Sequence, residues 1–203
     1  KALELNLDNL VASINLDYSK QHQAGKTMPD PFTEDVEDLF GRYRSWDQLM
    51  NENGPFDEPR FCFEQGRVYV RGNLYRQAAH EFNRVRQLVP EHLQTRLWLA
   101  QVYVLTRWPD QALAIVNEIK TNAEKVGLSR TNDLEMMTIE GSALLSRGEA
   151  GRAAQTVQAA LGRNPQNEEI LASAVQLFMT YSQYSNALEL IERQLKIDPN
   201  LCP

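Results

Sequence analysis

The sequence predicts an all-α fold, an α-α superhelix in which antiparallel helix pairs stack as a solenoid. Three observations predict it. Apolar residues recur at three- and four-residue steps along most of the chain. A block of small and bulky residues then returns in one register: Gly66, Tyr69, Ala78, Phe82, Pro90; Ala100, Tyr103, Ala112, Val116; Gly141, Leu144, Ala153, Val157, Pro165; Val175, Phe178, Ala187, Ile191, Pro199. The step from Ala78 to Ala112, and from Ala153 to Ala187, is 34 residues, a length that fits two helices and their turns.

The residue types have physical roles in such a stack. A small residue in the first helix (Gly66, Ala100, Gly141) lets the second helix approach closely, and the alanines do the same from the other side. Val175 departs from this and is expected to loosen or shift its pairing. The bulky residues fill the gap between pairs. The proline ends the second helix; in the second block Glu124 stands at that place.

Taken in order, Lys1 to Asn9 read as the tail of a second helix. Leu10 to Ala24 reads as a first helix, with Leu10, Ile14 and Tyr18 about one turn apart and Gly25 as its stop. Two prolines between 27 and 31 mark a loop. Thr33 then caps an amphipathic helix over about 33–51, with Glu34 and Asp35 in its first turn, ended by Asn53-Gly54-Pro55. These elements make residues 1–58 a degenerate helical unit. Four repeats follow, at about 59–92, 93–132, 133–166 and 167–200. Pro109 is expected at the start of a second helix, where its missing N–H costs nothing. The step from Ala112 to Ala153 carries seven extra residues, about two helical turns. They predict a helix running from 109 to about 125, capped by Gly127, and one extra turn on the helix after it. Asn132 with Glu135 is expected to form that helix's capping box.

The period and the order of small, bulky and proline residues resemble the tetratricopeptide repeat over roughly residues 59–200, more closely than a Sel1-like or HEAT-like array. The resemblance implies that the first helix of each pair lines a concave groove that binds a protein or peptide. Carried over position by position, the groove comprises Arg60, Phe63, Arg67, Val70 and Arg71 in repeat one. Repeat two supplies Gln94, Leu97, Trp98 and Gln101, and repeat three supplies Thr138, Ile139 and Ser142. Phe63, Leu97, Trp98 and Ile139 would hold an apolar side chain, and the arginines would pair with acids. The lysines and asparagines with which one subtype clamps a C-terminal carboxylate are absent, so that activity is not carried over.

Composition narrows the function classes. The net charge is −6, which argues against nucleic acid as a main partner. Residues 1–58 hold twelve acids and five bases, and the rest holds fifteen and sixteen, so the acidic load sits in the N-terminal unit. Cys62 and Cys202 are expected as thiols rather than a disulfide. No apolar run approaches the ~18 residues that span a membrane, and no signal peptide is visible. Direct membrane insertion is therefore not expected, and a cytoplasmic site is favoured without naming a compartment. The sequence holds no phosphate-binding loop, dinucleotide fingerprint or metal-ligand motif; His22, His80 and His92 are scattered, with His92 expected at the surface and His80 at the surface or half-buried. Neither a catalytic set, a cofactor nor a metal is expected. The acid pairs Glu34-Asp35, Glu37-Asp38 and Glu168-Glu169 are expected to complement helix dipoles. The reading is a non-catalytic interaction module or scaffold. The alternative is an accessory domain cut from a larger enzyme or membrane-anchored protein, since the pattern begins mid-repeat. Leu188, Leu190, Ile191 and Leu195 lie on a flank with no following helix, a candidate for self-association.

Overall fold

A computed structural model describes residues 8–26, 32, 43–53, 58–165 and 167–197. Among them there are ten α-helices and no strand. The chain divides into two units, 1–64 and 65–203.

In the first unit, α1 (Leu10–Gln23) is capped by Asn9, whose side chain accepts from the Ala12 N–H at 2.8 Å. Gly25 stops it at φ +68°, a left-handed conformation that glycine adopts without a Cβ penalty. Helix α2 (Trp46–Asn53) packs on α1 through Asn53. That side chain accepts from Leu10 N–H and donates to Tyr43 Oη, while the Asn53 carbonyl accepts from Asn9. Leu49 is buried there against Leu10, Ile14 and Tyr43. The helix expected over 33–51 does not run through: 43–45 is a bend, and the helix begins at Trp46. Its first part, 33–42, lies outside the described residues, as do 1–7 and the side chains of Tyr18 and His22.

Helix α3 (Pro59–Arg71) opens at Pro59, and Glu58 caps it by accepting from Phe61 N–H at 2.7 Å. Seven helices follow in the second unit: α4 (Tyr75–Leu88), α5 (Leu93–Leu105), α6 (Pro109–Thr121), α7 (Asp133–Ser146), α8 (Ala150–Arg163), α9 (Glu168–Thr180) and α10 (Tyr184–Ile197). They pair as α5 with α6, α7 with α8 and α9 with α10. Each second helix also packs on the next first helix, and α5, α7 and α9 lie side by side.

The repeat chemistry appears as read. Ala78, Ala112, Ala153 and Ala187 are all buried at the helix contacts. A Cβ on Gly66 would stand 2.6 Å from the Phe82 ring, and one on Gly141 2.6 Å from Leu177, so both glycines mark close approach. Val175 packs half-buried against the same continuous core as Ala187, so the pairing of α9 with α10 tolerates the larger side chain.

The inner turn of every repeat is the same. Asn73, Arg107, Gly148 and Ser182 occupy equivalent positions and all have positive φ, between 57° and 80°. At each, the next residue donates back across the turn: Leu74 to Tyr69, Trp108 to Tyr103, Glu149 to Leu144, Gln183 to Phe178, at 2.8–2.9 Å. This is the Schellman arrangement that closes a helix whose next residue turns left-handed. Only one of the four is glycine.

The seven extra residues do not lengthen the helices. Helix α6 ends at Thr121 and α7 begins at Asp133. The Asn122 side chain takes the Glu118 carbonyl, and a separate turn over 122–127 closes on Gly127 at φ +68°, with Leu128 donating to Ala123. A 3-10 turn, Arg130–Asn132, precedes α7. The capping box there joins Ser129 with Asn132 rather than Asn132 with Glu135: Asn132 Oδ1 accepts from Ser129 N–H at 3.1 Å. The helix stops early because Asn122 leaves the helical backbone conformation, at φ −109° and ψ 28°, and Gly127 then turns the chain left-handed.

Candidate protein-interaction surface

The face offered by the first helices is built on the layer of α5, α7 and α9. Helix α5 carries Gln94, exposed, and Gln101, half-buried; α7 carries Thr138 and Ser142, both half-buried. Thr138 Oγ1 donates to the Leu134 carbonyl at 2.8 Å, so its hydroxyl is satisfied by its own helix. On α3, Arg67 and Val70 are half-buried and Arg71 is exposed. Acidic residues take over at the far end of the layer. Glu169 is exposed on α9, and burial pushes the Glu135 carboxyl of α7 above its ordinary 4.5.

Several expected groove residues are core instead. Leu97 and Ile139 are 0% and 1% exposed, so neither has surface left for a ligand. Phe63 is likewise buried, with its ring edge-on to Phe32 at 5.5 Å. It belongs with Arg60 to the first unit. Trp98 is half-buried and stacks on Phe82, centroids 6.1 Å apart, so much of it serves packing between repeats. Of the expected set, Gln94, Gln101, Thr138 and Ser142 share the layer with accessible surface, and Arg67, Val70 and Arg71 have accessible surface on α3.

Polar links between repeats were not legible beforehand. Glu118 accepts from Arg96 at 2.8 Å and Arg86 at 3.0 Å, and Arg96 also donates twice to the Pro90 carbonyl. Asp133, largely buried, is held by Arg163 and Asn164. The Asp133 carboxylate bonded to Arg163 holds that guanidinium above its ordinary value. His92 is half-buried with its ring 2.7 Å from the Thr95 hydroxyl, not a plain surface residue; His80 is exposed as expected. Cys62 is a fully buried thiol. Among the described residues no group of His, Cys, Asp and Glu is placed to hold a metal ion, and no helix is long and apolar enough to cross a membrane.

Residues 63–125 match the family model described as Tetratricopeptide repeat. Over those residues the chain is similar to the tetratricopeptide repeat. Its fold is also similar to that of solved structures. YrrB, described as a TPR protein with an unusual peptide-binding site, is 20% identical with a TM-score of 0.56, over 98% of this chain and 92% of that one. The MamA RS-1 ArsTM double mutant is 14% identical with a TM-score of 0.55, over 96% and 98%. No curated protein sequence matches the chain. At these identities the likeness to the solved structures is one of fold.

Proposed function

We propose that the chain is a non-catalytic scaffold that takes a peptide or partner domain along the first-helix face of its repeats. The observation that carries this reading is the side-by-side layer of α5, α7 and α9, whose helices carry Gln94, Gln101, Thr138 and Ser142 with accessible surface. A stack of repeats offers such a face over a length no single helix pair provides. The peptide-binding relative of the same fold supports it. Arg67 and Arg71 on α3 and the acids Glu135 and Glu169 give the first helices opposite charge at opposite ends of the repeat series, which would orient a bound segment. The net charge of −6 disfavours nucleic acid as the occupant.

Selection of peptides from a displayed library against the whole chain tests this. Selected peptides are expected to lose at least tenfold in affinity for the double variants Gln94→Lys/Gln101→Glu and Arg67→Glu/Arg71→Glu. They should bind normally to Gln158→Ala, on a second helix. Equal binding to all forms would refute the face. Self-association is proposed through α10, where Tyr184, Leu188 and Leu195 are exposed at 62%, 57% and 44%. Sedimentation of the wild type against Leu188→Glu tests it, and an unchanged monomer in both would exclude it.

A further inference from the structure

The seven residues that break the 34-residue period wall a cleft of about 730 Å³ in the second unit. Leu128, Ser129 and Arg130 form one side, α8 the other, and Met136 and Met137 of α7 the floor. The volume is within the usual range for ligand sites, ~300–1,000 Å³. It faces away from the residues of the first-helix layer named above.

The repeat register tells what is missing from it. Arg86, Arg96 and Glu118 lock the junction of repeats one and two. The equivalent positions one repeat later are Lys120, Met137 and Ala159, and all three line the cleft. At the first junction a carboxylate and an arginine fill the space; at the second, an alanine and a methionine leave it open. The cation survives as Lys120 and pairs with Glu140 of α7 at 2.6 Å, while position 159 carries no acid.

The rim is charged accordingly. Lys120, Arg130, Arg152 and Arg163 surround the opening. The two acids in the lining lie beneath them: Glu140 and Asp133 have side chains only 12% and 11% exposed, against 47% for Lys120 and 49% for Arg163, which cover them. Arg130 is exposed and has no carboxylate partner among the described residues. Lys120 pairs with Glu140, Arg152 with Glu149 and Arg163 with Asp133, so the four cations outnumber their acids by one, beside an apolar wall of Leu128 and Met136; this favours an anion that also carries an apolar group. Arg152 and Arg163 are eleven residues apart on α8. At ~1.5 Å per residue that is about 16 Å, the reach of roughly five extended residues rather than of one small anion.

We propose that this cleft is a second binding site, separate from the first-helix face, for an acidic peptide segment with a leucine- or phenylalanine-sized side chain. The peptide carboxylate takes the place that Glu118 holds at the preceding junction, beside Lys120 and Arg130, and the apolar side chain rests against Leu128 and Met136.

The test is fluorescence anisotropy with a fluorescein-labelled decapeptide whose central Leu-Phe pair is flanked by Glu and Asp. Its control has the acids replaced by Gln and Asn. The whole chain is expected to bind the acidic peptide and to bind the neutral one at least tenfold more weakly. Arg130→Glu with Arg152→Glu changes two exposed side chains and should lose at least tenfold. Ala159→Glu supplies the missing acid from the chain itself, and should lose at least tenfold while the melting temperature holds or rises. Arg67→Glu, on the first-helix face, should bind as wild type. The proposal is overturned if the wild type fails to bind at millimolar peptide or the neutral peptide binds equally. It is also overturned if Ala159→Glu binds normally, or if inorganic phosphate or single-stranded RNA displaces the peptide and binds with the same variant profile.

Discussion

Gly66→Ala places a methyl group where the Phe82 ring already stands. The new Cβ would lie 2.6, 2.8 and 2.9 Å from three ring carbons, each well inside contact distance. The ring cannot easily yield, because Phe82 is fully buried and stacked on Trp98. Overpacking of this kind costs about 1–3 kcal/mol, and a rigid aromatic neighbour puts this site near the top of that range. Alanine returns about 1 kcal/mol of helix propensity. The net loss is about 2 kcal/mol. Gly141→Ala meets only the Cδ2 end of Leu177 at 2.6 Å, with Cγ at 3.8 Å, and that side chain can rotate. Its clash costs about 1 kcal/mol, offset by the same gain, so stability should barely change. Gly162→Ala meets nothing within 4 Å and should stabilise α8 by about 0.5–1 kcal/mol. Urea unfolding followed by far-ultraviolet circular dichroism separates the three, since the expected order spans about 3 kcal/mol. A Gly66→Ala protein as stable as wild type, with Gly162→Ala behaving as stated, would refute the assignment of residue 66 as the close-approach point of the first repeat.

Arg107→Gly and Ser182→Gly remove a Cβ from left-handed turns at φ 60° and 57° and should each stabilise by about 1 kcal/mol; Gly148→Ala, at φ 80°, should cost about the same, all read by melting temperature. Glu118→Ala leaves Arg96, whose side chain is only 11% exposed, with the Pro90 carbonyl but no counter-charge. Because Glu118 itself is 38% exposed, screening limits the loss to about 1 kcal/mol, measured by urea unfolding at low and high salt. Burial raises the folded-state carboxyl of Glu135 above 4.5, so the folded chain holds that proton more tightly than the unfolded chain. This residue's contribution to stability is then best at low pH and is lost as pH rises from 4.5 through the raised value. Glu135→Gln is expected to melt higher than wild type at pH 7 and to match it near pH 4; a difference that is the same at both values would contradict the sign.

The repeated part of the fold was legible because each repeat solves the same packing problem with the same residue types. Ala78, Ala112, Ala153 and Ala187 could be matched by spacing alone, and burial at all four follows from the contact they make. The turns were legible in place but not in conformation. Asn73, Arg107 and Ser182 hold positive φ without being glycine, because the Schellman hydrogen bonds of a packed helix pair outweigh the local penalty of about 1–2 kcal/mol. Leu97 and Ile139 were misplaced for a related reason. A helix position that is exposed in one stack is buried in another by the side chain of the adjoining first helix, and sequence spacing carries no record of that neighbour.

The insertion between Thr121 and Asp133 was read as extra helix because its length suits two turns. Length alone does not decide between lengthening a helix and building a wall; local backbone conformation does. Asn122 leaves the helical conformation at φ −109° and ψ 28°, and Gly127 turns the chain left-handed. The backbone is thereby forced outward at the junction where the register substitutes Met137 and Ala159 for an arginine and a glutamate. Either change alone would leave little: the substitutions without the insertion would let α6 and α8 close over two uncharged side chains, and the insertion without them would surround a filled ion network. That the two occur at one junction makes the cleft a property of the sequence rather than of loose packing, and Ala159→Glu is the single substitution that separates these accounts. It should fill the site if the missing carboxylate defines it, and should leave peptide affinity unchanged if the loop alone does.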